Sequence, residues 1–518
     1  MKHWWDSIIP EESNIIINGD VSTLVQRALE NKEGTLSSQG ALVIESGKFT
    51  GRAAEDKYVV EDSYTSSLID WDNHINRMPQ ALFQKLKDLF SEHIKTSDRK
   101  YLMERSVGAD PHYALGLRII TLQASSALFA KNIFREHVDS PELGYYTIFH
   151  CPELSLDKKS LGLKSSTVIA INFSTKEILI AGTAYAGEMK KAVFSVMNTL
   201  LPSLGVLPMH SGANTDSDGN VSVFLGLSGT GKTTLCTDVG KILIGDDEHG
   251  ISSDGIFNLE GGCYAKTFKL SEVKEPQVYQ AVNRFGALLE NVVLDTNHNP
   301  QFEDNSITEN GRGTYPLNFI SDSSTTGVEV FPSNIFFLSA DAMGVLPAVA
   351  KLNTEQAMYY FLSGYTAKLA GTEVGMKGIK ATFSHCFGAP FMMRYPKVYG
   401  ELLSHFMKTN KVNVWMINTG WYGGVYGEGA RYPLSVTRGI VRAIQSGLPK
   451  DLKYIRDPEF ELSIPQKLEG VDVKYLNTRS LWKDRQLYDT TSNALKDLFK
   501  KNYKKYEVVT TKNQDLVL

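Results

Sequence analysis

Gly226-Leu-Ser-Gly-Thr-Gly-Lys-Thr233 is the stretch on which the fold turns. It fits the spacing G-x-x-x-x-G-K-[ST], follows the apolar run Val221-Ser-Val-Phe-Leu-Gly226, and precedes Thr234-Leu-Cys-Thr237, which reads as a helix start. Strand, glycine-rich turn and helix in that order make a phosphate loop. Glycines let the backbone wrap around phosphate oxygens without Cβ clashes, exposed N–H groups and the helix terminus supply positive potential, and Lys232 adds a full charge. Gly226, Leu227, Ser228, Gly229, Thr230, Gly231, Lys232, Thr233 and Thr234 are therefore predicted to hold a nucleotide's phosphates, with the Thr233 hydroxyl available to Mg²⁺. The bland alternative, an ordinary strand-to-helix turn, is disfavoured because spacing and flanking pattern agree.

Downstream, Lys241-Ile-Leu-Ile-Gly-Asp-Asp-Glu-His249 places Asp246 and Asp247 at the end of a predicted strand, where phosphate-loop enzymes carry a metal-directed aspartate. Neighbours on an extended chain point to opposite sides, so one carboxylate can face a metal while the other orients a water. Further strands are predicted at Asn334-Ile-Phe-Phe-Leu338 and Val412-Asn-Val-Trp-Met-Ile417. Upstream, Gln80-Ala-Leu-Phe-Gln-Lys-Leu-Lys-Asp-Leu-Phe90 has helical periodicity, whereas Ser166–Asn172 and Glu177–Ala181 read as strands. Two prolines and a glycine in Leu201-Pro-Ser-Leu-Gly-Val-Leu-Pro208 put a domain boundary near Gly205. The expectation is a two-domain α/β protein, with a mixed α/β domain over 1–205 and a mononucleotide-binding domain over 206–518.

Composition agrees with a globular chain: 518 residues, 42% hydrophobic and 22% charged. A net charge of -4 offers no general attraction for nucleic acid or anionic membrane, so anionic ligands must be held by local cations. Cys151, Cys236, Cys263 and Cys386 are scattered, without a C-x-x-C pair, which fits a reducing compartment better than a disulfide scaffold. No apolar run approaches the ~20 residues needed to span a bilayer, and Met1-Lys-His-Trp-Trp-Asp6 lacks a leader pattern. A cytoplasmic enzyme is expected.

Two further segments exceed what a simple nucleoside triphosphatase needs: Gly182-Thr-Ala-Tyr-Ala-Gly-Glu-Met-Lys-Lys-Ala-Val-Phe194 and Met209-His-Ser-Gly-Ala-Asn214. With them the sequence resembles the ATP-dependent phosphoenolpyruvate carboxykinases from Gly51-Arg52 to Thr437-Arg438. Landmarks in order are Gly108–Pro111, Glu260-Gly-Gly-Cys-Tyr-Ala-Lys266, Thr308-Glu-Asn-Gly-Arg312 with Tyr315-Pro316, Ala340–Pro347, Phe361–Glu373 and Asn418-Thr-Gly-Trp421. The resemblance implies the two-domain carboxykinase fold and a reversible reaction of oxaloacetate and ATP to phosphoenolpyruvate, ADP and CO2. The loop lacks the cysteine of the family's GTP-using relatives, which implies ATP.

By the same resemblance, Lys191, His210 and Asp247 look like ligands of a catalytic Mn²⁺, and Thr233 like the ligand of the Mg²⁺ that accompanies ATP. Lys191 would ligate as the neutral amine, a form that a nearby cation favours. Arg52 and Tyr185 are implied at the substrate, joined there by Lys191 and Arg312. Lys190, Lys232 and Arg312, with Asp246 and Asp247, are implied around the transferring phosphoryl group. Glu275, Arg431, Tyr432 and Thr437 are implied toward the nucleoside. Such a set suits the chemistry, since decarboxylation itself creates the enolate nucleophile and phosphoryl transfer then asks for alignment and charge neutralisation. Two departures stand out: Gly51-Arg-Ala-Ala54 where relatives commonly have Gly-Arg-Ser-Pro, and His210-Ser-Gly-Ala-Asn214 where they often have His-Cys-Ser-Ala-Asn. The first is expected to loosen the loop that presents Arg52. The rival readings are a phosphate-loop kinase for a protein or metabolite, which leaves Lys191 and His210 unexplained, and a non-catalytic ATP-sensing relative.

Overall fold

A computed structural model describes residues 8–9, 15–73, 75–368 and 380–507. The opening hexapeptide and residues 369–373 of the Phe361–Glu373 landmark lie outside the described residues. The chain divides into two compact units, one made of 1–200 with 257–327, the other of 201–256 with 328–518. The crossing at Leu200 lies close to the expected boundary at Gly205, but the units are not contiguous. Residues 257–327, grouped by the sequence reading with the second domain, pack in the first unit. Local breakers mark where a chain bends; they do not say which core it bends back into.

The first unit holds an eight-stranded mixed sheet in the order Ile15–Ile17, Lys100–Val107, Leu115–Thr121, Tyr145–Cys151, Glu177–Ala181, Val168–Asn172, Lys57–Glu61 and Asn76–Pro79. The predicted helix at Gln80 runs to Thr96, and its apolar stripe, Phe83, Leu86, Phe90 and Ile94, is buried in a core with Leu102, Ile120, Phe149 and Leu179. A five-stranded sheet follows the order Gly262–Lys266, Arg312–Pro316, Leu288–Glu290, Leu42–Ile44 and Gly34–Leu36. Its register sets Glu290 opposite Arg312. Helix Gly187–Leu200 is buried along nearly all its length, including Glu188 and Lys190. A helix whose sequence mixes lysines with apolar residues can be enclosed in this way only if its charges find partners.

The second unit is built on the sheet Glu248–Ile251, Leu207–Thr215, Val221–Gly226, Asn334–Ser339, Asn413–Asn418, Val349–Leu352, Ser463–Pro465 and Tyr454–Arg456, with Ile242–Gly245 also pairing Leu207–Thr215. Its three central strands are mutually parallel, in a register that aligns Gly226 with Leu338 and Leu338 with Ile417. Val221–Gly226 and Asn334–Ser339 are buried at every residue, as expected for parallel strands covered on both faces. Three carboxyl ends thus finish side by side, and the segments leaving them are the phosphate loop, the turn at Asp341 and the turn at Thr419.

Asp341 sets the middle turn. Its fully buried carboxylate accepts from the backbone N–H of Met343 (2.9 Å), Val345 (2.8 Å) and Leu346 (2.9 Å), and from the Tyr365 hydroxyl (2.9 Å). Burial pushes its pKa up, and these donors pull it back. Asp341→Ala strands four donors in the interior and is expected to cost about 3 kcal/mol or more. Asp341→Asn, which keeps one acceptor oxygen, is expected to cost less. Urea unfolding of the three proteins checks the order, and equal midpoints for wild type and Asp341→Ala would refute it.

Candidate active site

In the second unit the phosphate loop has the geometry that its glycines suggest. A Cβ at Gly226 would lie 2.3 Å from the Thr230 hydroxyl oxygen and 2.9 Å from Leu338 Cβ, so the strand can turn here only without a side chain. Gly229 and Gly231 take φ of +84° and +97°. The Thr230 hydroxyl donates to Leu227 O (2.7 Å), and Thr230 O accepts from the Thr419 hydroxyl (2.8 Å), which ties the loop to the end of the neighbouring sheet strand. Arg431 Nε donates to Thr419 O (3.0 Å) and Arg431 Nη2 to Gly229 O (3.3 Å), so this predicted nucleoside residue borders the loop. The helix after the loop starts at Lys232, two residues earlier than the sequence suggested, and ends at Cys236 after little more than one turn. Thr233 and Thr234 stand half-buried in it, and Leu227, Ser228 and Gly229 form the open rim.

Three predicted residues converge beside the loop. Lys232 Nζ lies 3.0 Å from His210 Nε2 and 3.3 Å from Asp247 Oδ1, and His210 Nε2 lies 2.8 Å from the same Asp247 oxygen. The other imidazole nitrogen, Nδ1, is 3.0 Å from Phe387 O. A carbonyl can only accept, so Nδ1 donates to Phe387 O, and the ring is held with Nε2 facing Lys232 and Asp247. Phe387 and Cys386 reach this position with left-handed backbones, φ +56° and +53°, uncommon for residues with side chains. An imidazole nitrogen and a carboxylate oxygen held in this way are a donor pair suited to a divalent cation. Asp246 and Asp247 lie in the bend between strands Ile242–Gly245 and Glu248–Ile251 rather than on an extended strand; Asp246 is buried, and its charge helps burial to push up the pKa of the Cys236 thiol. Tyr432 is buried with its ring 4.7 Å from that of Tyr422. Thr437, also buried, donates to Leu434 O (3.1 Å) in helix Leu434–Gln445.

In the first unit residues predicted at the substrate and at the phosphoryl group lie in one neighbourhood. Lys190, 1% exposed, pairs with Glu260 at 2.9 Å and lies 5.8 Å from the Tyr264 ring centre. The Tyr264 hydroxyl donates to Glu290 Oε2 (2.5 Å), and Ala186 N–H donates to Glu290 Oε1 (3.2 Å), bracing the turn that carries Tyr185. Burial pushes Glu290 up to about 7 against the pull of those two donors and of Arg312. Arg312 Nη2 donates to Asn310 Oδ1 (2.9 Å), and Asn310 Nδ2 reaches Thr50 O (2.7 Å) and the Tyr185 hydroxyl (3.4 Å). Arg52 follows Thr50 by two residues, and the next residue, Ala53, donates its N–H to Glu188 Oε1 (2.5 Å). Arg52, Tyr185, Lys190 and Arg312 are thus gathered by structure, although they come from three distant stretches. Lys191 Nζ lies 5.1 Å from the Phe194 ring centre. Glu275 precedes helix Pro276–Val282 without a side-chain capping bond and belongs to the first unit, whereas the other predicted nucleotide residues except Arg312 belong to the second. Lys191 likewise belongs to the first unit and His210 and Asp247 to the second.

Sequence reasoning assigned no role to Glu188, Glu260, Tyr264, Glu290 or Asn310. Four of these sit inside or beside the quoted landmarks; the signal was a polar residue two places from a predicted cation, as with Glu188 before Lys190 and Asn310 before Arg312.

A family profile described as phosphoenolpyruvate carboxykinase matches residues 13–474. The phosphoenolpyruvate carboxykinase (ATP) of Brucella anthropi is 45% identical over 502 residues, covering 96% of this chain and 93% of its own. Its counterpart from Agrobacterium fabrum is 46% identical over 500 residues, with the same coverage of 96% and 93%. That of Rhizobium meliloti is 46% identical over 496 residues, covering 95% and 92%. A match over nearly the whole chain, joined to a phosphate loop beside a metal-ready imidazole and carboxylate, shows that this chain belongs to the phosphoenolpyruvate carboxykinase family.

Proposed function

We propose that the protein is an ATP-dependent phosphoenolpyruvate carboxykinase, a carboxy-lyase that decarboxylates oxaloacetate and phosphorylates the resulting enolate to give phosphoenolpyruvate, ADP and CO2, reversibly. The observation that carries the reading is the meeting of Lys232, His210 and Asp247 within 3.3 Å of one another. A phosphate-binding lysine beside a metal-binding imidazole exceeds what a simple phosphate-loop kinase requires. No described helix is long and apolar enough to cross a membrane; a cytoplasmic location remains part of the proposal.

The proposed Mn²⁺ ligands are Lys191, His210 and Asp247, with Thr233 for the Mg²⁺ of ATP. When bound, these ions would supply Lewis-acid stabilisation of enolate and phosphoryl oxygens. The chain's own groups do the rest. Arg52 and Tyr185 bind and orient the substrate carboxylates. Lys232 and the loop N–H groups align the β- and γ-phosphates, and Lys190 and Arg312 offset the charge that spreads over the transferring group. Lys190 can act as a fixed cation because Glu260 holds it, and Arg312 because Asn310 does. Asp246 would orient a metal-bound water, while Glu275, Arg431, Tyr432 and Thr437 contact the nucleoside. No side-chain base is needed, since loss of CO2 leaves the attacking electron pair on the enolate.

The founding test supplies oxaloacetate, ATP, Mg²⁺ and Mn²⁺ and measures phosphoenolpyruvate and ADP; no metal-dependent phosphoenolpyruvate would sink the carboxykinase reading. Lys232→Ala and Thr233→Ala are expected to lower kcat by about 10²-fold or more with the fold intact. Wild-type turnover in both at saturating ATP would overturn the phosphate-loop assignment. The enzyme is also expected to prefer ATP to GTP in kcat/KM, and side-by-side kinetics with equal or reversed preference would remove the ATP assignment.

His210→Gln and Lys191→Met are expected to weaken Mn²⁺ by about tenfold or more while leaving Mg-ATP affinity nearly unchanged. The lysine amine must lose its proton to ligate, so wild-type Mn²⁺ affinity rises with pH, and Lys191→Met flattens that rise. Paramagnetic titration of Mn²⁺ reads both effects, and unchanged affinity in both variants would contradict a shared ion.

A further inference from the structure

The Gly51-Arg-Ala-Ala54 segment carries Arg52 yet has neither a ring nor a polar side chain at 53 or 54 to stiffen it. A flexible arginine would lose orientation entropy each time it bound a carboxylate. The structure instead anchors the segment from outside. Ala53 N–H donates to Glu188 Oε1 at 2.5 Å, across 135 residues of sequence, and both residues are buried, Ala53 to 7% and Glu188 to 6% exposure. Four residues beyond Ala53, Lys57 donates to the Ser195 hydroxyl, which itself donates to Lys191 O (2.9 Å). Glu188 and Ser195 stand seven residues apart on helix Gly187–Leu200, hence on one face, so the Arg52 segment is stitched twice to the helix that carries Lys190 and Lys191.

Glu188 would be costly without such a task. Burial pushes its carboxyl up, and the Ala53 N–H together with the charges of Arg52 and Lys57 pulls it back. A buried carboxylate between two cations, bonded to the residue that follows one of them, fixes where the guanidinium starts.

We propose that Glu188 is a positioning residue for the oxaloacetate step: through the Ala53 N–H it holds the Arg52 guanidinium ready for a substrate carboxylate, in place of local backbone stiffness. The inference rests on the reading of Arg52 as the substrate clamp. Glu188→Asp keeps the charge between Arg52 and Lys57 but withdraws the acceptor by one methylene, whereas Glu188→Gln keeps the reach and removes the charge. Ala54 opens the one-turn helix Ala54–Asp56, a position that accepts proline, so Ala54→Pro offers stiffness by another route.

The test measures steady-state kinetics for oxaloacetate and for ATP, phosphoenolpyruvate affinity by calorimetry, and urea midpoints, in wild type, the two single variants and Glu188→Asp/Ala54→Pro. Glu188→Asp is expected to lose about tenfold or more in kcat/KM for oxaloacetate, mainly through KM, with a parallel loss in phosphoenolpyruvate affinity and little change in KM for ATP. Glu188→Gln, which keeps the acceptor, is expected to lose less than Glu188→Asp in oxaloacetate KM although its urea midpoint falls because Arg52 and Lys57 lose their counter-charge, and the double variant is expected to regain part of the loss. Equal KM for oxaloacetate in wild type and Glu188→Asp overturns the proposal, as does an equal rise in both KM values or a loss in Glu188→Gln as large as in Glu188→Asp. If Glu188→Asp does not fold, Glu188→Ala, which removes the acceptor, takes its place, and an oxaloacetate KM equal to that of wild type overturns the proposal. A wild type without carboxykinase activity would instead be a failure of the functional reading, which these outcomes do not mimic.

Discussion

A charge taken out of water must be met by an opposite charge or by several hydrogen bonds, and the site residues of this protein depend on that constraint. Lys190 is almost wholly enclosed and lies against Glu260; Glu290 is enclosed and receives Tyr264 and Ala186; Asp341 is enclosed and receives three backbone donors and a phenol. None of these groups would be tolerated alone in an apolar core. Each pairing removes rotamer freedom from a side chain near the chemistry, so the cost of burial is exchanged for a fixed position. That exchange suits phosphoryl transfer, where alignment and preset charge do most of the work.

The scaffold makes the exchange possible in two ways. In the second unit, parallel strands buried on both faces bring three carboxyl ends level, so that one turn can be the phosphate loop while its neighbours brace it through Thr419 and Arg431. In the first unit the lysines ride on a helix that is enclosed along nearly its whole length, and the five-stranded sheet delivers Glu290 and Arg312 in register. Side chains placed on regular elements inherit the rigidity of those elements.

The imidazole of His210 illustrates how little freedom is left. Its Nδ1 proton is claimed by Phe387 O, a carbonyl presented by two successive left-handed residues, and its Nε2 is thereby turned toward Asp247. Backbone strain of this kind persists only where surrounding packing over-determines it. The ring orientation is thus set by the protein alone, as a proposed cation ligand requires.

The phosphate loop was legible in the sequence because its chemistry is local: glycine conformational freedom, a lysine and a hydroxyl are needed within eight consecutive residues after a strand, and Gly226 through Thr233 supply them. Strand and helix cores at Gln80, Glu177 and Val221 were legible for the same reason, since periodicity is written at short range. The family resemblance supplied the identities of Arg52, Lys191 and His210, which no spacing would have singled out. Only tertiary structure returned 257–327 to the first unit, brought Glu188 to Ala53 and Glu260 to Lys190, and placed Phe387 O on His210. Those partners lie tens to more than a hundred residues apart. A short sequence pattern can demand that a buried charge be answered, but which distant residue answers it is decided by how the sheets and helices pack.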